Sequence, residues 1–152
     1  MKKIKKLLFL IVFLFCGLQN FAKAGLIDEI QVYDGEINKP GEFGLELHLN
    51  ATPNGNDKQS FNRERLTDRG LRLTPEFTYG LSKTFELGFY LPTIYTPQYG
   101  YEVAGYKPRI KWMPIQSDDH NPWSLGVNVE YAQLKNGMDD SNKSAEARFI
   151  AA

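Results

Sequence analysis

A stretch near the middle of the chain, EFTYGLSKTFELGFYL (residues 76–91), constrains the fold more than any other. Apolar and polar side chains alternate on both sides of a short GLSK turn. Phe77 and Tyr79 lead in, and Phe85, Leu87, Phe89 and Leu91 lead out. Glu76, Thr78, Glu86, Gly88 and Tyr90 stand between them. A period of two sends successive side chains to opposite faces of a strand, so this reads as a β-hairpin with one oily and one polar face. A soluble sheet hides its oily face, whereas a membrane barrel displays it.

The same alternation recurs in six segments: 42–50, 71–79, 84–93, 102–112, 123–131 and 144–152. Their polar faces carry Glu42, Glu46, Glu76, Glu86, Glu130 and Glu146 together with Arg72, Lys107, Arg109, Lys111 and Arg148. Pro75 and Pro108 each remove a ladder donor inside a segment and are the expected places for bulges. No helical period competes after residue 24, and no internal repeat is evident. The connections alternate between long and short. Residues 51–70 are long and polar, GLSK is tight, and IYTPQYG, MPIQSDDHNP and QLKNGMDDSNK follow. Long loops on one rim and tight turns on the other are the habit of outer-membrane barrels.

The first 24 residues fix the compartment. MKKIKK is a basic leader, LLFLIVFLFCGL an apolar run of 12, and Ala22, Lys23 and Ala24 a small-x-small cleavage site. That is the pattern of a secretory signal peptide, and the run falls short of the ~20 residues a spanning helix needs. Cys16 follows Phe15, where a lipoprotein signal would have a small residue. The chain holds 18 basic and 18 acidic residues; Lys2, Lys3, Lys5, Lys6 and Lys23 leave with the signal, so the remainder has 13 against 18, a net charge of −5. Such a chain, with no basic patch, is a poor partner for nucleic acid. The expected organisation is a signal peptide over 1–24, an N-terminal periplasmic segment over 25–41 and a barrel domain over 42–152.

Three features favour lipid as the neighbour of the oily face. The segments are about 9–11 residues long, enough for a tilted strand to cross the hydrocarbon. The charges of the polar face nearly cancel, as an interior lattice of ion pairs requires. If the strands run up and down, five aromatics gather on the apolar face at one rim: Phe43, Tyr79, Phe85, Trp112 and Trp123. Tyr131, with Tyr95, Tyr99 and Tyr101 nearby, marks the other rim. Aromatic girdles of this kind sit at the two membrane interfaces. A general preference of aromatics for strands does not collect them at one end. The expected fold is therefore all-β, an antiparallel up-and-down meander belonging to an outer-membrane barrel. Arg72, Glu76, Lys107, Arg109, Lys111 and Glu130 are expected to face its lumen. The competing expectation is a soluble periplasmic β-sandwich or lipocalin-like binding module whose core is the oily face.

No enzyme signature emerges. The chain has no Ser-His-Asp spacing, no phosphate-binding glycine loop after a strand and no Cys/His metal spacing. SDDHN (residues 117–121) gathers Asp118, Asp119 and His120, but between two strands and two prolines it reads as a polar turn. His48, between Glu46 and Asn50, is a lone imidazole on the polar face. No catalytic residue, metal ligand or cofactor is expected. The expected partners are outer-membrane lipid, the barrel assembly machinery and a small solute.

Four stretches carry a resemblance to a known family. DEIQVYDGEINKPGEFGLELHLN (28–50), LTPEFTYGLSKTFELGFYLPT (73–93), GYKPRIKWMP (105–114) and WSLGVNVEY (123–131) resemble bacterial outer-membrane proteins of the "MetA-pathway of phenol degradation" family. The resemblance implies an outer-membrane, transporter-like β-barrel. It carries no catalytic residues and does not establish a role in phenol metabolism. Members generally continue further, and six strands are fewer than the eight of the smallest single-chain barrels. Truncation of a longer barrel is therefore expected. Residues 51–70 are expected outside the cell and mobile, with Ala51, Phe61 and Leu66 as their candidates for burial.

Overall fold

The computed structural model describes residues 35–152. The expected signal peptide and most of the expected periplasmic segment lie outside the described residues. Eight strands form one sheet: β1 (Phe43–Thr52), β2 (Gly70–Gly80), β3 (Phe85–Tyr90), β4 (Thr93–Thr96), β5 (Gly100–Val103), β6 (Gly105–Ile115), β7 (Leu125–Leu134) and β8 (Lys143–Ala151). Every pairing is antiparallel, and there is no helix among the described residues.

These eight are the six expected segments, two of them interrupted. β2 pairs along its whole length with β1, and on its other side with β3 (Glu76 to Gly80) and then β4 (Leu71 to Leu73). β3 pairs onward with β6 and β4 with β5, so β3–β4 and β5–β6 are each one long strand with a break. β6, β7 and β8 follow in order. β1 and β8 are the edges, and the sheet is not closed between them.

The bulges expected at Pro75 and Pro108 do not form, since both prolines sit in uninterrupted register opposite Leu47 and Phe89. The break falls instead at Leu91 and Pro92, between β3 and β4. The Pro75 carbonyl accepts from Leu91 N at 3.0 Å. In an antiparallel ladder a residue's N–H and C=O point to the same neighbour. The donor that Pro75 lacks therefore faces the place where the ladder is already broken. A second irregularity lies between Trp112 and Ile115 on β6.

The IYTPQYG connection is mostly strand. Thr93 pairs with Val103 and Thr96 with Gly100, leaving Pro97, Gln98 and Tyr99 as a three-residue hairpin loop. Gly100 closes it at φ 72°, the left-handed geometry that such loops place on glycine.

The faces of this sheet are inverted relative to a soluble one. Glu76, Glu86, Lys107, Arg109, Lys111, Asn128 and Glu130 are buried, whereas Leu45, Leu47, Leu49, Leu87, Phe89, Ile110 and Val129 are exposed. The sheet curls around its charges. The principal apolar cluster is small and lies near one rim, where Ile94, Ala104 and Met138 pack together with Leu134.

Candidate functional site: the charged interior

The interior network follows from register. Tyr90 on β3 stands opposite both Glu76 on β2 and Lys107 on β6, and Gly88 stands opposite Arg109. A side chain at Gly88 would put its Cβ 2.5 Å from Cγ and Nε of Arg109. Because Gly88 has none, Arg109 passes over β3 and reaches β2. There its Nε and Nη2 donate to Glu76 Oε1 at 2.8 and 2.6 Å. Nη2 also donates to Glu86 Oε1 at 2.9 Å. Charge-assisted bonds this short are the strong class.

The network extends in both directions. Glu86 Oε2 accepts the backbone N–H of Asn38 at 2.8 Å, and Lys111 Nζ donates to the Glu36 carbonyl at 2.6 Å, so residues 36–38 cap one mouth of the curl. Glu76 Oε2 lies 3.0 Å from His48 Nε2. Lys107 Nζ pairs with Glu130 Oε1 at 2.8 Å. The buried Tyr90 ring is the common neighbour, with the Arg109 guanidinium 5.8 Å, Lys107 Nζ 5.7 Å and the His48 ring 6.3 Å from its centroid. The cations lie within cation–π range of it. On β8, Arg148 and Glu146 pair with each other at 2.6 Å.

Five of the six residues expected in the lumen, Glu76, Lys107, Arg109, Lys111 and Glu130, are buried on this face. Arg72 is half-buried on the same face, nearer the long-loop rim, opposite Asn50 and Ile94. Glu86, Tyr90 and His48 belong to the site as much as any of these. Their alternation with apolar neighbours was the signal, but only register shows their partners. On this charged face four buried atoms have no hydrogen-bonding partner among the described residues: Arg109 Nη1, both amide atoms of Asn128, and Glu130 Oε2. Buried polar atoms of this kind are ordinarily satisfied by water.

The outer face carries the aromatics. Phe43, Tyr79, Trp112 and Trp123 are exposed, and Phe85 stacks on Trp112 at 5.9 Å. Phe43 is the register partner of Tyr79, and Phe85 that of Trp112. Trp123 precedes β7 by two residues rather than opening it. At the other rim Tyr95 pairs with Tyr101, and the Tyr106 and Tyr131 hydroxyls both reach Gln133 Oε1.

The long loop is anchored, contrary to the expectation of a mobile segment. Its buried side chains are Glu64 and Thr67, whereas Ala51 is exposed and Phe61 and Leu66 are half-buried. Glu64 accepts the Ser60 N–H. Arg65 donates its backbone N–H to the Gly137 carbonyl at 2.7 Å, pairs with Glu102 at 3.1 Å and lies over the Tyr99 ring. The long loop, the β4–β5 turn and the β7–β8 loop thus meet on one rim. Polar groups satisfied by neighbouring loops hold the segment, which a count of apolar residues does not register. On the opposite rim SDDHN is an exposed turn in which Asp118 Oδ1 accepts from His120 N and Asn121 N.

Comparisons with protein-family models, with curated proteins and with solved structures find no match. The family resemblance accordingly rests on the sequence motifs alone.

Proposed function

We propose that this chain is a bacterial outer-membrane β-barrel protein, with its oily face against lipid and its charged face lining a wetted interior that admits a small solute. The observation that carries this reading is the inversion of the faces. A row such as Leu45, Leu47 and Leu49, each more than half exposed, costs free energy in water at ~25 cal/mol per Å² and nothing in hydrocarbon. A soluble sandwich or lipocalin-like module needs that face as its core, and here it points outward.

The spacing of the aromatics supports the same reading. Tyr79 lies eight residues along β2 from Leu71, the partner of Tyr95. At ~3.4 Å per residue and a tilt of ~40°, the two girdles stand about 20 Å apart in depth. The apolar band of such barrels is ~25 Å tall. The signal peptide and the resemblance to the "MetA-pathway of phenol degradation" family agree with export and with a transporter-like role. Non-enzymatic action is part of the proposal.

The test is fractionation of cells expressing the chain. The protein is expected in the outer-membrane fraction, resistant to carbonate extraction and refolding only with detergent or lipid. Recovery from the soluble periplasm, folded without detergent, would overturn the assignment.

A further inference from the structure

Carboxylates of neighbouring strands face one another directly at two places on the charged face. Glu130 stands opposite Glu146 across β7 and β8, and Glu46 opposite Glu76 across β1 and β2. Like charges in such pairs destabilise a sheet unless something neutralises them. At the first place each carboxylate has its own base, Lys107 on Glu130 at 2.8 Å and Arg148 on Glu146 at 2.6 Å. At the second, Glu76 shares Arg109 with Glu86. Among the described residues no base forms an ion pair with Glu46. One guanidinium thus serves two of three neighbouring carboxylates.

An imidazole completes this second place. His48 lies two residues from Glu46 on β1, and hence on the same face. Ligand atoms of Glu46, His48 and Glu76 all lie within 4.8 Å of one another. We propose that these three side chains form a binding site for a borderline first-row divalent cation, Zn2+ being the best match.

One imidazole nitrogen with two carboxylates is a donor set for zinc and its neighbours, whereas Mg2+ and Ca2+ take oxygen alone. Zinc bonds of ~2.0–2.2 Å place tetrahedral ligands roughly 3.4 Å apart. The 3.0 Å between His48 Nε2 and Glu76 Oε2 is already close to that edge. Glu46 is exposed and on a flexible stem, so it can close the remaining gap by rotation. Glu76 is prepared for the task. Arg109 occupies its Oε1 through two hydrogen bonds and turns Oε2 toward His48. Orienting a ligating carboxylate from outside in this way is a recurrent feature of metal sites. Three protein ligands leave the fourth position of a tetrahedral site to water.

The experiment is a Zn2+ titration of the full chain, folded in detergent micelles after chelator treatment, with Co2+ absorption as a second readout. It requires only a folded chain, so it stands apart from the membrane assignment. Saturable binding of one ion per chain is expected. Loss of an outer partner of a metal costs about 10–100-fold in affinity, so loss of a ligand in His48→Ala should weaken binding at least as much. The chain has only two histidines, and His120→Ala should bind as the parent does. If His48→Ala does not fold, Glu46→Gln removes an exposed ligand, with the same loss expected. No saturable binding at millimolar Zn2+, binding by His48→Ala or Glu46→Gln equal to the parent, or loss through His120→Ala would each overturn the site.

Discussion

Arg109 is the residue on which the interior depends, because from β6 it neutralises both Glu86 on the neighbouring β3 and Glu76 one strand further on, on β2. Removing one member of a buried ion pair leaves an uncompensated charge, which costs about 3–5 kcal/mol. Arg109→Leu should therefore lose about 3 kcal/mol in urea unfolding from lipid vesicles, the low end if the interior is wetted as proposed. Adding Glu76→Gln and Glu86→Gln should restore most of that loss, since the penalty lies in the stranded charges. An Arg109→Leu chain as stable as its parent would show that water alone solvates both carboxylates. Gly88→Val should act in the same direction without touching a charge, by occupying the path of the Arg109 side chain. Alternation alone assigned these side chains to one face. It could not show that Arg109 reaches past its neighbouring strand, because that depends on register and on the absence of a side chain at Gly88. His48 looked solitary for the same reason, its partner Glu76 being 28 residues away.

Among the elements, β7 gives the cleanest test of what lies outside. Val129 is exposed in mid-strand and pairs with Ile110 and Ala147. Arg at a lipid-facing midplane position costs about 2–4 kcal/mol, whereas an exposed surface position in water tolerates it within ~0.5 kcal/mol. Val129→Arg should show the larger loss on refolding into vesicles; an unchanged midpoint would mean that this face meets water. The six long strands were readable because period two persists through them. Their interruptions were not. Leu91 and Pro92 break one strand opposite Pro75, and Pro97, Gln98 and Tyr99 form so short a loop that the strand on either side of it resembled a connection. The first long loop divides likewise. Residues 56–60 are exposed, whereas Arg65 is bonded to Gly137 and Glu102. Trypsin added to intact cells should cut at Lys58, act slowly at Arg65 and spare Lys83 on the other rim. Cleavage at Lys83 with Lys58 protected would invert the topology.

For the molecule as a whole, the two edges set the condition for living in a membrane. Among the described residues β1 and β8, of 10 and 9 residues, each pair on one side only. Alternate residues of an edge strand turn their N–H and C=O outward, roughly four or five per edge. Hydrocarbon offers these groups no partner, and each costs several kcal/mol unpaired. The sum exceeds the ~5–15 kcal/mol by which folded proteins are ordinarily stable. In lipid, therefore, the β1 and β8 edges need a partner, and in a reconstitution of this 152-residue chain a second copy is the one at hand. β1 and β8 run in opposite directions along the meander, so β8 of one copy can extend the antiparallel ladder at β1 of the next. Cysteines placed singly at Leu45, Leu47 or Leu49, mixed with a chain carrying Ala147→Cys, should give a disulfide-linked dimer for at least one pairing. Cys16, the chain's one native cysteine, lies in the segment expected to be removed. A band of single-chain size that shifts on heating, with no link between copies, would show that six strands satisfy their own edges and would defeat this prediction.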